Sequence, residues 1–269
     1  LVPAGGESVK ERKSKQENSL KINILGATPL DFSINSTLDF IKEFLSRHFE
    51  IISTFAMGSS IEDIQRAGEA DVNLVISSVG VLAAKVLEER FHTPYVIGTP
   101  IIGFENVLAE KLIESAWTKK SQTAYFSVLQ KAHKKDTANF TTIQNTEAVS
   151  NLKKIRSLTE TIEKNKVSGN VYIIGESVIS QSLKAALALR YGIEATVICP
   201  LETEPEYTEK DVLLLSSEED IKKAITDADT VIADPIYKTI CSEKVNFVAM
   251  PHEAYSGRIY RKEVCDFIH

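Results

Sequence analysis

Five histidines and three cysteines are the side chains of this chain best suited to metal ligation or to proton transfer near neutral pH. Cys199, Cys241 and Cys265 lie far apart, with no C-x-x-C pair. An odd count without tight spacing reads as free thiols of a reducing compartment. Cys199 and Cys241 fall in apolar segments and read as small core residues. Cys265, near the end of the chain, is the one expected to be exposed. His48, His92, His133 and His269 sit on helix ends, loops or the terminus, with neither H-x-x-x-H nor H-x-x-E-H spacing. No metal ligands are therefore expected. His252 is different. It lies in Met250-Pro251-His252-Glu253-Ala254-Tyr255-Ser256-Gly257-Arg258, a loop bracketed by Pro251 and Gly257 after an apolar run. A ligand-facing His or Arg would sit in such a loop; the plainer alternative is a His that only orders it.

Two turns could approach a phosphate, Gly26-Ala27-Thr28-Pro29 and Gly175-Glu176-Ser177. Neither forms G-x-G-x-x-G, and G-x-x-x-x-G-K-[ST] is absent. Pro29 also removes a donor N–H. Both read as tight strand-to-helix turns, and nucleotide binding is disfavoured. The Ser77-Ser78 hydroxyls read as helix N-caps before ligand contacts. No G-x-S-x-G elbow surrounds them, which disfavours a hydrolase nucleophile.

The elements that must position these residues alternate. Ile22–Gly26 is an apolar run stopped by Gly, and Leu38, Ile41, Phe44 and Leu45 then recur at helix spacing. Further runs read as strands over Ile51–Ala56, Val72–Ser77 and Tyr95–Thr99, with helices over Ser60–Gly68 and Val79–Phe91. A long helix is expected from Asn106 to His133, and a polar one from about Asn145 to Lys164. The alternation restarts with strand Val171–Gly175, helix Ile179–Tyr191 and strand Ala195–Cys199. It continues with strand Val212–Leu215, helix Ser217–Ile225, strand Thr230–Ala233, a short helix near Ile236–Cys241 and strand Asn246–Met250. Strands that are apolar without alternation, separated by helices, indicate parallel sheets covered on both faces.

The expected fold class is α/β, with two Rossmann-like, doubly wound parallel-sheet domains joined by a helical connector. The boundaries read as a linker over 1–19, a first domain over 20–140, a connector over 141–167 and a second domain over 168–269. The C-terminal tail is expected to pack back on the first domain. The halves read as weak copies: Ile22–Gly26 matches Val171–Gly175, Ala70-Asp71 matches Ala228-Asp229, and Tyr95–Pro100 matches Phe247–Pro251.

Composition is that of an ordinary globular chain of 269 residues, 43% hydrophobic and 25% charged. A net charge of −6 argues against a general nucleic-acid binder. No window approaches about 18 uninterrupted apolar residues, and the N-terminus lacks a signal-peptide core. A cytoplasmic location and no membrane partner follow as expectations. The first residue is Leu1 and not Met, so the chain reads as a piece of a longer protein.

In open parallel sheets ligands bind beyond the carboxyl ends of the strands. The segments to watch are Gly26–Asp31, Ser77–Gly80, Thr99–Gly103, Gly175–Ser177, Asp234–Pro235 and Pro251–Gly257. Ser77, Thr99, Gly175, Glu176, Asp234, His252 and Ser256 are expected to ring one cleft between the lobes. His252 and Glu176 are the candidates for proton delivery, and Arg258 for holding an anionic group. The plainer alternative for Glu176 is a cap on the helix that follows it.

The segment Ala70-Asp71-Val72-Asn73-Leu74-Val75-Ile76-Ser77, then Leu87-Glu88-Glu89-Arg90-Phe91-His92-Thr93-Pro94-Tyr95, resembles the nitrogenase component 1 family. The family pattern is an "A-D-x-N-L-V" strand and a helix ending "L-E-E-x-[FY]-G-x-P-[YW]". Ile22-Asn23-Ile24-Leu25-Gly26, Asp229-Thr230-Val231-Ile232-Ala233 and Tyr255-Ser256-Gly257 add to the resemblance, which runs from about Lys21 to the C-terminus. It implies repeated Rossmann-like domains, pairing with a homologous or identical chain, and electrons from an ATP-dependent iron–sulfur reductase protein. It also implies a cysteine-bearing domain for an iron–sulfur cluster upstream of Leu1, with no cofactor in the present chain. Two departures matter. Ser77 stands where the cofactor-bearing relatives have a cysteine ligand, and Arg258, Ile259 and Tyr260 follow the Y-S-G loop where those relatives have a histidine. The implied function is part of a nitrogenase-like oxidoreductase subunit acting on an organic or metallo-organic substrate. A non-catalytic two-lobed protein that binds a small molecule or metal chelate is the rival, and a two-lobed nucleotide-sugar enzyme is a third.

Overall fold

The computed structural model describes residues 19–32, 37–126, 128, 156–260 and 264–268. The first lobe contains β1 (Leu20–Leu25), α1 (Pro29–Phe32), α2 (Thr37–Ser46), β2 (Phe49–Thr54), α3 (Ile61–Gln65), β3 (Val72–Val75), α4 (Val81–Phe91), β4 (Tyr95–Ile97), α5 (Glu105–Thr118) and β5 (Gln122–Thr123). After β6 (Arg156–Ser157) and α6 (Leu158–Lys164), the second lobe contains β7 (Val171–Ile174), α7 (Ser177–Tyr191), β8 (Ala195–Cys199), β9 (Leu213–Leu214), α8 (Glu218–Ala224), β10 (Thr230–Ala233), β11 (Asn246–Ala249) and α9 (Gly257–Tyr260). β12 (Cys265–Asp266) pairs with β6.

Each lobe is built on one five-stranded parallel sheet, in the orders β2-β1-β3-β4-β5 and β11-β10-β7-β8-β9. The fold is α/β, and Ile24 and Ile173 lie in separate sheets. The internal repeat is visible in the strand orders. β2-β1-β3-β4 corresponds to β8-β7-β10-β11; the first sheet adds β5 beyond β4, and the second adds β9 at the opposite edge. One device recurs. The Asp71 carboxylate accepts the Lys21 N–H at the start of β1 (2.8 Å), and the Asp229 carboxylate accepts the Asn170 N–H before β7 (2.8 Å). The repeated Ala-Asp therefore fixes where the first strand of each sheet meets its neighbour.

Strand cores are apolar because both faces are covered; Ile22, Ile24, Leu74, Val96, Ile173 and Val197 are fully buried. The exception is a polar ladder across the first sheet. Ser53 Oγ donates to Asn23 Oδ1 (2.7 Å), and Asn23 Nδ2 donates to Asn73 Oδ1 (2.7 Å) and to the Ala67 carbonyl (2.9 Å). Buried carboxamides are tolerated when paired in this way, and they help to fix the strand register.

The two lobes share one hydrophobic core running from Ile22 to Phe267. α7 lies at its centre, and Ser177 through Leu187 is buried without a break. A helix buried on every face must be covered on both sides. Its polar residues are accordingly all engaged or enclosed. Ser182 Oγ accepts the Thr99 N–H from the first lobe (2.9 Å) and donates to the Val178 carbonyl. Gln181 takes part in a network with Tyr125 and Tyr207, in which Tyr125 Oη donates to the Tyr207 carbonyl (2.7 Å) and Gln181 Nε2 donates to Tyr125 Oη (3.2 Å). Burial holds the Tyr125 phenol well above its usual range. Tyr125→Phe keeps the ring and removes both bonds, so it should lower stability by about 1.5 kcal/mol, measured by urea unfolding at constant m. A loss below about 0.5 kcal/mol would mean the network is not an inter-lobe tie.

Several expected elements differ in extent. The helix expected over Asn106–His133 is α5, ending at Thr118 with Lys119 in the left-handed conformation, and β5 follows. Residues 129–133 lie outside the described part. So do the linker through residue 18 and residues 141–155 of the expected connector; what is described after them is β6, α6 and a short loop. Cys265 is not the exposed thiol. It is 1% exposed because β12 packs on β6 and α6, while Cys241 is the more open one. The Phe267 carbonyl accepts the Ile102 N–H (2.8 Å), which ties the tail to the first lobe.

Candidate functional site

In each sheet the chain leaves the first strand in one direction and later returns to its other side. The carboxyl ends of β1 and β3, and of β7 and β10, flank these reversal points, where open α/β sheets hold ligands. The sequence-predicted site residues cluster there. The structure shows what each polar atom does.

At the first reversal point, Ser77 is fully buried and its hydroxyl donates to the Gly26 carbonyl (2.7 Å). It makes no side-chain capping bond. Thr99, also fully buried, donates to the Ile76 carbonyl (2.7 Å). Both hydroxyls lock strand ends together.

At the second point, Glu176 is 5% exposed and caps α7, its Oε2 accepting the Ile179 N–H (2.8 Å). Oε1 accepts the Ser78 N–H from the first lobe (2.9 Å). The first turns of α7 and of the Ser78–Phe91 helical segment thus converge on one carboxylate. Helix N-termini favour anions, so Glu176 takes the place an external phosphate would occupy at α7. Burial pushes this carboxyl above the usual carboxylate range, against the lowering effect of its backbone N–H partners. The Gly175 N–H bonds the Ile198 carbonyl (3.1 Å), which closes that turn.

Asp234, 3% exposed, caps the short helix after β10, its Oδ1 accepting the Ile236 N–H (2.9 Å). Its Oδ2 accepts the His252 N–H (2.8 Å) and the Ser256 hydroxyl (2.7 Å). Asp234 and Ser256 therefore hold the 251–257 loop in shape. Tyr255 in that loop packs its ring against His252 (centroids 5.3 Å apart) and Tyr237 (6.3 Å). Burial raises the Tyr255 phenol above its usual range. The Arg258 side chain lies outside the described part, although its backbone is in α9.

His252 crosses to the first lobe. Its Nε2 lies 2.9 Å from Asp31 Oδ1, and its Nδ1 accepts the Ala254 N–H (3.2 Å). Thr28 Oγ1 donates to Asp31 Oδ2 (2.7 Å). The strand-end pattern marks the Gly26–Asp31 segment but does not single out Asp31. The usable signal is Thr28 three residues before Asp31 at the end of a strand, a spacing that lets the two side chains bond locally. Ser78, Ser182 and Tyr207 are inter-lobe partners that the sequence does not announce, because these contacts use backbone atoms on one side or the other, which carry no sequence signature.

A recess of ≈ 810 Å³ lies at the amino ends of β7 and β8, lined by Asn170, Tyr172, Lys184, Thr196, Asp211 and Asp227 among others. It is the wrong end of the sheet for the site above. Its lysine, Lys184, is ion-paired with Glu209 (3.0 Å) and Asp211 (2.6 Å).

Residues 3–235 match the family described as nitrogenase component 1 type oxidoreductase. The chain belongs to that family. This component 1 type chain is 32% identical over 82 residues to a light-independent protochlorophyllide reductase subunit of Nostoc punctiforme, covering 30% of this chain and 16% of that protein. It is 35% identical over 102 residues to the subunit of the same name from Rhodopseudomonas palustris, covering 37% and 18%. The matched stretches are thus under a fifth of those relatives' length. A solved structure titled "Nitrogenase Cp1 at pH 5" is 13% identical, with a TM-score of 0.46 over 91% of this chain and 55% of that one.

The component 1 family implies iron–sulfur cofactors, which need thiolate or comparable ligands. The described donors do not fit a cluster. Burial pushes the Cys199 thiol up to about 11, and burial also raises Cys241. Cys265 Sγ lies 3.4 Å from Thr161 Oγ1 inside the core. Among the described residues no three His, Cys, Asp or Glu side chains converge as a metal-binding group. No described helix is long and apolar enough to cross a membrane.

Proposed function

We propose that this chain is part of a nitrogenase-like oxidoreductase subunit. It works beside a homologous or identical component 1 chain and receives electrons from an ATP-dependent iron–sulfur reductase protein. The reaction is reduction of an organic or metallo-organic substrate, and the tetrapyrrole named for the curated relatives is the first to try. Family membership over residues 3–235 carries the reading. The site chemistry agrees with it in one respect: a reduction needs a proton donor, and His252 stands at the strand ends with its side chain 18% exposed. Ser77, Thr99, Gly175, Asp234 and Ser256 hold the strand ends and the 251–257 loop that carries His252. Glu176, spent on two backbone N–H groups, is a structural cap in this reading and leaves proton delivery to His252.

The full-length subunit, assembled anaerobically with its partner chain and reductase, should consume protochlorophyllide only when MgATP is supplied. Turnover indifferent to ATP, or a subunit that never associates with a second component 1 chain, would sink the reading. Residues 1–269 alone, prepared anaerobically, should be colourless with substoichiometric iron and sulfide. Near-stoichiometric iron and sulfide would show that this chain holds a cluster.

A further inference from the structure

The recess of ≈ 810 Å³ at the amino ends of β7 and β8 has no part in the reduction proposed above. Its volume is that of a small-molecule pocket. The floor is apolar. Val171 and Ala195, paired neighbours in the sheet, are buried there, and Ala188 and Ile193 extend the floor from the end of α7. Carboxylates stand on both sides of it. Strand alternation sends Val171 and Tyr172 to opposite faces of the sheet. Val171 belongs to the core shared with α7, whereas Tyr172 packs on the smaller cluster around Ile221 and Ile225. On the α7 side Asp211 Oδ2 accepts Lys184 Nζ (2.6 Å), and on the other side Asp227 Oδ1 accepts the Tyr172 hydroxyl (2.8 Å). Both carboxylates are exposed, and each keeps lone pairs beyond these bonds.

The recess has one cation of its own, and that cation is already answered. Lys184, 7% exposed, pairs with Glu209 (3.0 Å) as well as with Asp211, one positive charge against two negative ones. Asp227 and Glu194 add negative charge at the walls. α7 also ends there. The Gly192 N–H bonds the Ala188 carbonyl, and the negative end of the helix dipole opens on the recess. An anion is therefore repelled. A bare metal ion is not catered for, because no three His, Cys, Asp or Glu side chains converge among the described residues. The lining suits a molecule with positive charge at two ends of an apolar body.

We propose that this recess binds an aliphatic polyamine. One ammonium group donates to Asp211 and a second to Asp227, and the methylene chain between them lies on Val171, Ala188 and Ala195. Lys184 keeps its present partners. Such binding needs neither electron transfer nor a second chain, so it stands or falls apart from the reductive reading.

The test is isothermal titration calorimetry of the full chain with spermidine at low salt. One spermidine should bind per chain. Asp211→Asn and Asp227→Asn should each weaken it by about fivefold, the loss of one charge-assisted hydrogen bond at a partly open site. Both carboxylates are exposed, so these variants keep the fold. Glu110→Gln makes the same change of charge on the exposed face of α5 in the first lobe, and should leave affinity within about twofold. Butylamine, with a single ammonium, should bind at least about tenfold more weakly than spermidine, because it cannot engage both carboxylates at once. Absence of spermidine binding, or affinity unmoved in both Asp211→Asn and Asp227→Asn, would overturn the site. Equal weakening by Glu110→Gln would reduce the binding to diffuse attraction and overturn it as well. Butylamine matching spermidine, or Mg²⁺ displacing spermidine at equal ionic strength, would overturn the polyamine as its ligand.

Discussion

Replacing Gly80 by alanine should remove about 3 kcal/mol of stability, a large effect for one methyl group. The backbone there is ordinary (φ −80°, ψ −15°), so torsional preference is not the cause, and helix propensity alone would favour alanine. The obstacle is main chain. A Cβ on Gly80 would lie 2.6 Å from the Gly26 nitrogen and 2.7 Å from the Leu25 carbonyl carbon, neither of which can rotate away. Gly26 answers from the other side with φ +85° and a Cβ position 2.8 Å from the Ser77 carbonyl oxygen. Two glycines thus let the end of β1 touch the turn that leads into α4. The Ser77 hydroxyl then closes the junction on the Gly26 carbonyl. Urea unfolding of the full chain, with m unchanged, measures the loss. A cost under about 1 kcal/mol would mean the junction can open without disturbing the sheet.

The fold was largely legible in the sequence because its signals are local and repeated. Ile22–Gly26 and Val171–Gly175 end apolar runs in glycine, and each run is the first strand of its sheet. Ala70-Asp71 and Ala228-Asp229 repeat because each aspartate bonds the backbone at the start of that first strand. Helix ends were less legible. α5 stops at Thr118 although apolar spacing continues beyond it, because the chain turns at Lys119 to pair Gln122 and Thr123 with β4. Tertiary pairing decides such an ending, and spacing does not report it.

The site was half legible for a related reason. Reading strand ends located Ser77, Thr99, Glu176, Asp234, His252 and Ser256 at the carboxyl edges of the sheets, but not what their atoms bond. Ser77 and Thr99 are small hydroxyls beside backbone carbonyls, and such groups satisfy one another before a ligand arrives. Asp31 is not singled out within the Gly26–Asp31 segment because its partner is 221 residues away. No window of sequence brings Asp31 and His252 together; the shared core does. That core also bears on the two-lobed binding-protein rival. Opening the lobes as a clamp would expose α7, whose buried run from Ser177 to Leu187 includes Gln181, Ser182 and Lys184. A hinge through so much paired polar and apolar surface is unfavourable.

Glu176 carries the other large expected effect. Glu176→Ala strands the Ile179 N–H, which is buried, and the Ser78 N–H, which is partly so. Losing the cap and the inter-lobe bond should cost about 3 kcal/mol together. Glu176→Gln should cost less, since its carbonyl can still accept from one of the two donors. The pair also gives a pH dependence with a definite sign. Burial raises the folded-state pKa of Glu176 above the ordinary glutamate value of 4.5. Over the window between the two values, the folded chain binds more protons at this site than the unfolded chain. Stability contributed by Glu176 is therefore greatest below pH 4.5 and declines as pH rises, until the folded carboxyl has ionised as well. Glutamine has no such proton. The stability of wild type minus that of Glu176→Gln should fall as pH rises from about 4.5, by no more than about 1.4 kcal/mol per pH unit, and then level off. A difference that rises over this window would mean that the Ser78 and Ile179 N–H groups outweigh burial, and that Glu176 enters the fold already charged.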